Sequence, residues 1–421
     1  MLKQKVRGGT KLLIKPRKKR AVKVPDYSTG KKREKAMEIA LHYGFMPIKT
    51  PQIVRDDINR AKLLRDVAIE TKLELDDTTL SIFPEEKISI LRTYAEREMH
   101  KEPQPVMMYY KRPFVGQAIK RIPREHQYGL EILGTPRGVA EAVLITTVLA
   151  ILEEAGHTNL WVDINSIGDR DSVAKYEKEL ANYYRKHLSE LPPECKVMFR
   201  KDIFEVVKSS DKKCAMLAEE APQSMSYLSE PSRQHFKEVL EYLETLGVQY
   251  RIAKNLLGNK HYCSHTVFEI KTEKEGVAPE LLAVGSRYTH IARRIGMKRE
   301  LPAIGAALQF KSSHDDMASK RQIREIQAPK FYFIQLGYDA KLKSLKVLEI
   351  LRKAKIGVMH SLSKDKFMLQ LEAAENSKVP YIIIMGQKEA MENSVVVRHA
   401  QNRQQETIAI NDLPNYLKKI K

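Results

Sequence analysis

The chain has 421 residues, 43% of them hydrophobic, and a formal net charge of +20 from 73 Lys and Arg against 53 Asp and Glu. That length suits roughly two or three domains with a sizeable core, and no run of about eighteen apolar residues is present to span a membrane. The basic N-terminus lacks an apolar h-region, which argues against a secretory signal. Three cysteines, Cys195, Cys214 and Cys263, are too few for a disulfide framework. Cys195 and Cys214 lack CxxC spacing, so they read as ordinary thiols, with no metal site expected. A reducing, cytoplasmic setting follows.

Half of the excess charge lies in residues 1–25, which hold ten Lys or Arg and no acid. They read as a basic flexible arm. A basic excess concentrates polyanions near the protein and releases counterions on binding, so RNA is the expected partner. A charged surface kept for solubility is the plainer alternative.

Residues 30–44 carry a helical period that ends at Gly44, a common helix stop. An extended segment, 45–50, runs into Pro51. Residues 78–83 read as a strand and 85–99 as a helix. Two strands, MMYY and HQYGLEILG, follow within 105–134, joined by a short basic link. Residues 138–156 form a strongly apolar helix and 160–168 a strand. Residues 171–250 are mostly helical, with clear patterns at 171–188 and 231–247. HTVFEI (265–270) and LPAIGAALQF (301–310) are strand-rich. Polar residues 312–328 read as a linker. Beyond Pro329, strands and helices alternate as βαβαβ and close with the pair SVVVRHA and ETIAI. That order predicts a small, largely parallel α/β domain. The expected division is an arm (1–25), a core (26–311) with a helical insertion at about 171–250, a linker (312–328) and a second domain (329–421).

Several segments resemble one family in order and spacing. YGFMPIKTP (Tyr43–Pro51) is similar to motif 1 of class II aminoacyl-tRNA synthetases, and PQPVMMYY (Pro103–Tyr110) to the strand leading into motif 2. HQYGLEILG, the DINSIGD stretch, HTVFE and VGSRY resemble signatures of bacterial-type histidyl-tRNA synthetases. The insertion and the domain from Pro329 resemble that family's insertion and anticodon-binding module. The resemblance implies an α+β class II synthetase core, an antiparallel sheet flanked by helices. A small anticodon-binding α/β domain follows it. It also implies a homodimer and tRNA as partner.

Activation brings a carboxylate against the α-phosphate of ATP, so fixed cations are needed where negative charge accumulates. The family supplies arginines in motif 2, in motif 3 and before its TVFE strand. Here Lys120 stands near the motif 2 position, with Arg121 or Arg124 nearby; Lys120 and Arg124 are the candidate catalytic substitutes. A lysine is a point charge and does not reproduce a bidentate clamp. Gln309 and Phe310 stand where motif 3 ends in Glu-Arg, and Gly258 stands at the third arginine, with Lys260 close by. The PEGT loop becomes Pro84-Glu85-Glu86-Lys87. For histidine binding the resemblance points to Glu85, Gln127, Glu131, Tyr262 and Tyr288. The alternative, that these satisfy one another inside a folded core, stays open. For RNA the candidates are Lys341, Lys343, Lys346, Arg352, Arg398 and Arg403.

The expected function is a histidyl-tRNA-synthetase-like protein that binds tRNA or another RNA, with histidine as a candidate ligand, and does not aminoacylate. No cofactor is certain; ATP and Mg enter only if activity is retained. Two alternatives are an active histidine–tRNA ligase with divergent motifs, and a regulatory subunit related to the partner of ATP phosphoribosyltransferase in histidine biosynthesis. Residues 329–421 count against the last, because that partner lacks the anticodon module.

Overall fold

The computed structural model describes residues 35–62, 64, 80, 82–112, 125–274, 276–311, 329–361 and 364–420. The basic arm, the linker and the candidate cations Lys120 and Arg124 lie outside these residues.

Eight strands form the first sheet: β1 Met46–Pro47, β2 Val106–Lys111, β3 Glu125–Leu133, β4 Leu160–Ser166, β5 Tyr250–Ile252, β6 Ser264–Lys274, β7 Val277–Arg287 and β8 Ala303–Lys311. Their spatial order is β1-β2-β3-β8-β7-β6-β4-β5. Pairing is antiparallel throughout the middle and parallel only at the two edges, β1 with β2 and β4 with β5. Helix Val139–Glu154 is apolar on nearly every face. Such a helix must be covered all round. It lies between the sheet and helices Lys35–His42 and Glu230–Leu246.

β7 was not expected as a strand. Pro279 and Glu280 interrupt its apolar run, and a proline removes a ladder donor. The register against β6 shifts twice along this stretch, so the strand passes the proline at an irregularity. Leu80, Ile82 and Phe83, the described residues of the expected strand 78–83, are not in a strand.

The helical insertion is opened helix by helix by side-chain caps. Asp169, Asp202, Asp211 and Ser229 each accept a backbone N–H at the start of a helix. Such caps satisfy donors that the first turn leaves without partners. Gly247 closes the last of these helices at φ +68°, a left-handed conformation that favours glycine. One expectation is corrected here. Cys195 and Cys214 are joined in a disulfide rather than standing as separate thiols. They lie 19 residues apart on helices Pro193–Lys201 and Lys212–Glu220. Only the packing of those helices brings the two sulfurs together.

The second sheet comprises β9 Phe331–Gln335, β10 Val358–His360, β11 Tyr381–Met385, β12 Ser394–His399 and β13 Gln405–Ala409, ordered β10-β9-β11-β12-β13. The first three are parallel, and β12 and β13 add an antiparallel edge. Helix Tyr338–Lys353 carries this unit against the first one. Its Glu349 accepts from the Tyr43 hydroxyl and from Arg352 at 2.8 and 2.7 Å. His42 Nε2 lies 3.0 Å from the Leu348 carbonyl oxygen. No described helix is long and apolar enough to cross a membrane.

Tyr43 is fully buried, so Tyr43→Phe removes one buried hydrogen bond and leaves Arg352 on Glu349. The expected loss is about 1–2 kcal/mol, read from urea unfolding. An unchanged midpoint would show that this contact does not hold the two units together.

Candidate active site

The site lies where helix Pro84–Glu96 meets the middle of the first sheet. Pro84 occupies the first helical turn, where its missing N–H costs nothing. Glu85, Glu86 and Lys87 follow, and all three are buried. Acids suit a helix N-terminus; a lysine there opposes the helix dipole. Charged groups this deep need partners, because burial removes their hydration.

Those partners come from β2, β3 and the chain after β7. Glu131, on β3, has no exposed surface. Its carboxylate accepts from the Tyr110 hydroxyl at 2.8 Å, from the Tyr288 hydroxyl at 2.6 Å and from the Lys87 ammonium. Glu86 accepts from Arg112 Nε and Nη2 at 3.0 and 2.7 Å, and its Oε1, 3.0 Å from the Tyr110 oxygen, shares that hydroxyl's single proton with Glu131. Tyr110 thus joins two ion pairs, Arg112–Glu86 and Lys87–Glu131, into one buried chain of charge-assisted hydrogen bonds.

Two glycines make room for it. Gly305 of β8 lies opposite Glu131; a Cβ there would come within 1.8 Å of Glu131 Oε2 and 2.7 Å of Lys87 Nζ. Gly129 lies opposite Tyr110, and a Cβ there would come within 2.2 Å of the Tyr110 ring.

The electrostatics follow from depth and neighbours. Burial pushes the Glu86 carboxyl up, but the Arg112 guanidinium outweighs it and holds Glu86 below its ordinary value. Burial lifts Glu131 above its ordinary value against the pull of Lys87 and Tyr288. Burial and the Glu131 charge push the Tyr110 and Tyr288 hydroxyls well up. Both therefore stay protonated and act as donors.

Of the five candidate histidine-binding residues, Glu131 and Tyr288 touch directly. Glu85 sits buried in the helical turn that carries Lys87. Gln127 lies on β3 two positions before Gly129 and donates to Gln309 Oε1 at 2.8 Å. Tyr262 is buried, and its hydroxyl donates to the Ile82 carbonyl oxygen at 3.1 Å. Sequence reasoning missed Arg112, Tyr110 and Glu86, and saw in Lys87 only a replaced threonine. The available signal was three consecutive charged residues opening a helix that is otherwise apolar along one face.

The expected losses of cationic residues have structural counterparts. A Cβ at Gly258 would lie 2.7 Å from both Cys263 Cβ and Val267 Cγ1, so no side chain fits there without movement. Phe310 is core; its ring stacks on Tyr128 at 5.7 Å, which stacks on Tyr109 at 5.2 Å. Lys260 reaches Glu177 at 2.7 Å and Asp202 at 3.1 Å in the insertion. Arg287, kept from the second signature, clamps Glu141 of the apolar helix at 2.8 and 2.6 Å and donates to the Thr135 carbonyl oxygen at 3.0 Å. Its role in this geometry is to tie β7 to the helix behind the sheet.

Among the RNA candidates, Lys341 is buried and bonded to Asp365. Arg352 is held by Glu349. Lys343 donates to the Ala390 carbonyl oxygen and to Asn393. Lys346 and Arg403 are exposed and Arg398 is half-buried. Arg403 stands at φ +60° in the turn between β12 and β13.

An antiparallel sheet with a buried charged floor, followed by a mixed α/β unit, defines a class II aminoacyl-tRNA synthetase core joined to an anticodon-binding domain. The histidyl-tRNA synthetase family model matches residues 28–312, and an anticodon binding domain model matches residues 330–420. The chain belongs to the histidyl-tRNA synthetase family. It is 29% identical over 350 residues to the histidine–tRNA ligase of Bacillus subtilis (strain 168), covering 81% of each chain. It is 28% identical over 382 residues to that of Fervidobacterium nodosum, covering 88% of this chain and 90% of the relative. The crystal structure of apo S. aureus histidyl-tRNA synthetase is similar at 23% identity and a TM-score of 0.49, covering 91% of this chain and 93% of that one.

Glu141 provides a test of this frame. Burial raises its carboxyl, but Arg287 and the nearby His235 outweigh that and lower it from 4.5 to about 2. A carboxyl depressed on folding stabilises fully above its unfolded value, and that stabilisation is lost as pH falls through the folded one. The Glu141 contribution is therefore complete above about pH 4.5 and fades toward pH 2, with a size of about 3 kcal/mol. Glu141→Gln should lower stability at pH 7 and flatten the decline between pH 4.5 and 2.5 in urea unfolding. Parallel pH curves for the two proteins would refute the assignment.

Proposed function

We propose that this protein binds tRNA as a histidyl-tRNA synthetase family member and does not activate histidine. We further propose that it is a cytoplasmic homodimer divided into an arm (1–25), a synthetase-type core (26–311), a linker (312–328) and an anticodon-binding-type domain (329–421). The observation that carries the loss of activation is Gly258. The position that the family resemblance assigns to an arginine has no room for any side chain. Gln309 and Phe310 support the same reading, one engaged by Gln127 and the other packed in the core. Losing one preorganised electrostatic donor commonly costs a hundredfold or more in rate, so the loss of several leaves little of the reaction. ATP with Mg therefore has a poor fit among the described residues of this site.

A second reading, an active histidine–tRNA ligase, is favoured by the relatives. Those named above are histidine–tRNA ligases aligned over most of their length. It requires phosphate-binding cations from outside the described residues, with Lys120 and Arg124 as the candidates. The regulatory-subunit reading has less support, because the chain carries the anticodon-binding match at residues 330–420.

Histidine-dependent ATP–pyrophosphate exchange separates the first two readings. The full-length protein is expected to give no exchange above a no-enzyme control; exchange at an ordinary synthetase rate would establish the ligase. Gly258→Arg should lose stability and gain no exchange, since the arginine would have to displace Cys263 and Val267.

For tRNA, the exposed cations Lys346 and Arg403, with half-buried Arg398, are the proposed contacts. In filter binding across a salt series, each phosphate contact removed lowers the slope of log affinity against log salt by about one. Lys346→Ala with Arg403→Ala should lower it by about two. Lys341→Ala and Arg352→Ala should reduce stability and leave the slope unchanged. An unchanged slope in the double variant would remove these residues from the RNA surface.

A further inference from the structure

We propose that Lys87 is an internal ligand: its ammonium fills, from within the chain, a cation-binding chamber built from Glu131, Tyr288 and Tyr110. The proposal deepens the non-activating reading above and rests on it.

Three features distinguish this lysine from an ordinary core ion pair. The first is its cost. Lysine is among the residues least often fully buried, and Lys87 is buried to 1% exposure. It also stands in the first turn of helix Pro84–Glu96, where the helix dipole opposes a cation. A buried pair gains little over an apolar one of the same shape. Fold stability therefore does not account for this choice of residue.

The second feature is the acceptor set. Glu131 presents both carboxylate oxygens inward, with Oε1 on Lys87 and Oε2 on Tyr288. The Tyr288 ring lies 5.2 Å from Lys87 Nζ, within range for a cation over an aromatic face. A carboxylate and an aromatic face around one nitrogen, with the carboxylate held by two phenolic donors, form a receptor for a small organic cation. The third feature is the floor. Gly305 leaves open the volume that Glu131 and Lys87 occupy, since a Cβ there would meet both.

Truncating Lys87 removes the cation and its four-carbon stem and leaves the acceptors in place. The vacated chamber has the length of a short alkylamine and ends on the Glu131 carboxyl. It fits a compact nitrogen cation, either a primary alkylammonium or an imidazolium, and histidine is the amino acid that carries the latter.

The test compares wild type, Lys87→Ala and Lys87→Ala with Glu131→Gln. Each is titrated by calorimetry and thermal shift with n-propylammonium, imidazolium at pH 6 and histidine, using tetramethylammonium as the ionic control. Wild type should bind none of the three probes. Lys87→Ala should bind propylammonium or imidazolium at least about tenfold more tightly than wild type does, with a matching rise in Tm. The double variant, which no longer buries an unpaired charge, should fold and lose that binding. Should Lys87→Ala fail to fold alone, propylammonium in the refolding buffer should restore soluble protein.

Three outcomes overturn the proposal: a folded Lys87→Ala that binds no probe, an unfolded one that no probe rescues, and binding that survives Glu131→Gln. Wild type binding histidine as tightly as Lys87→Ala overturns it too. Failure of the non-activating reading is seen separately, as pyrophosphate exchange by wild type.

Discussion

Glu131 is a carboxylate with none of its surface in water, set in the middle of an eight-stranded sheet. An isolated charge at that depth is unsustainable, so its partners must be supplied by the chain. That requirement fixes much of what surrounds it. Helix Pro84–Glu96 must dock with its first turn over β3 so that Lys87 reaches the carboxylate. Tyr288 must follow β7 closely enough to donate. Position 305 must be glycine, because a Cβ there would collide with both members of the pair. Tyr110 extends the same constraint to Glu86 and Arg112.

A second buried carboxylate plays a comparable role behind the sheet. Glu141 draws Arg287 from β7 and His235 from helix Glu230–Leu246 onto the apolar helix. The two clusters flank the chain at Arg287 and Tyr288, adjacent residues whose side chains serve opposite sides. Arg287 ties the sheet to the helix and the insertion, and Tyr288 closes the floor of the site. The pair has thus kept a structural use that needs no ligand.

Family membership and the local geometry bear on different questions. The family match concerns scaffold and descent, and the relatives' activity belongs to them until it is measured here. Fold kinship does not carry chemistry, because chemistry resides in particular side chains at particular distances. In this chain those side chains form paired charges around Glu131 and an aromatic stack at Phe310. Both features are economical as protein core.

Much of the scaffold was legible from local pattern. The apolar helix at 139–154 and the βαβ rhythm after Pro329 are short-range signals, and the structure carries them nearly where they were expected. The sequence also placed Gly258, Gln309 and Phe310 where the family resemblance implies other residues. It could not reveal β7, because Pro279 breaks the local pattern and only the neighbouring strands rescue it. Nor could it pair Cys195 with Cys214, or show that Lys341 and Arg352 turn inward to acids. The pairing of Lys87 with Glu131 spans 44 residues, and that of Arg287 with Glu141 spans 146. Periodicity assigns a residue to an element and a face; it does not say which distant residue will share a buried space. By itself the sequence determined a synthetase frame. Tertiary structure decided that the floor of that frame is filled by the chain's own lysine, because only packing brings a first-turn ammonium onto a mid-sheet carboxylate.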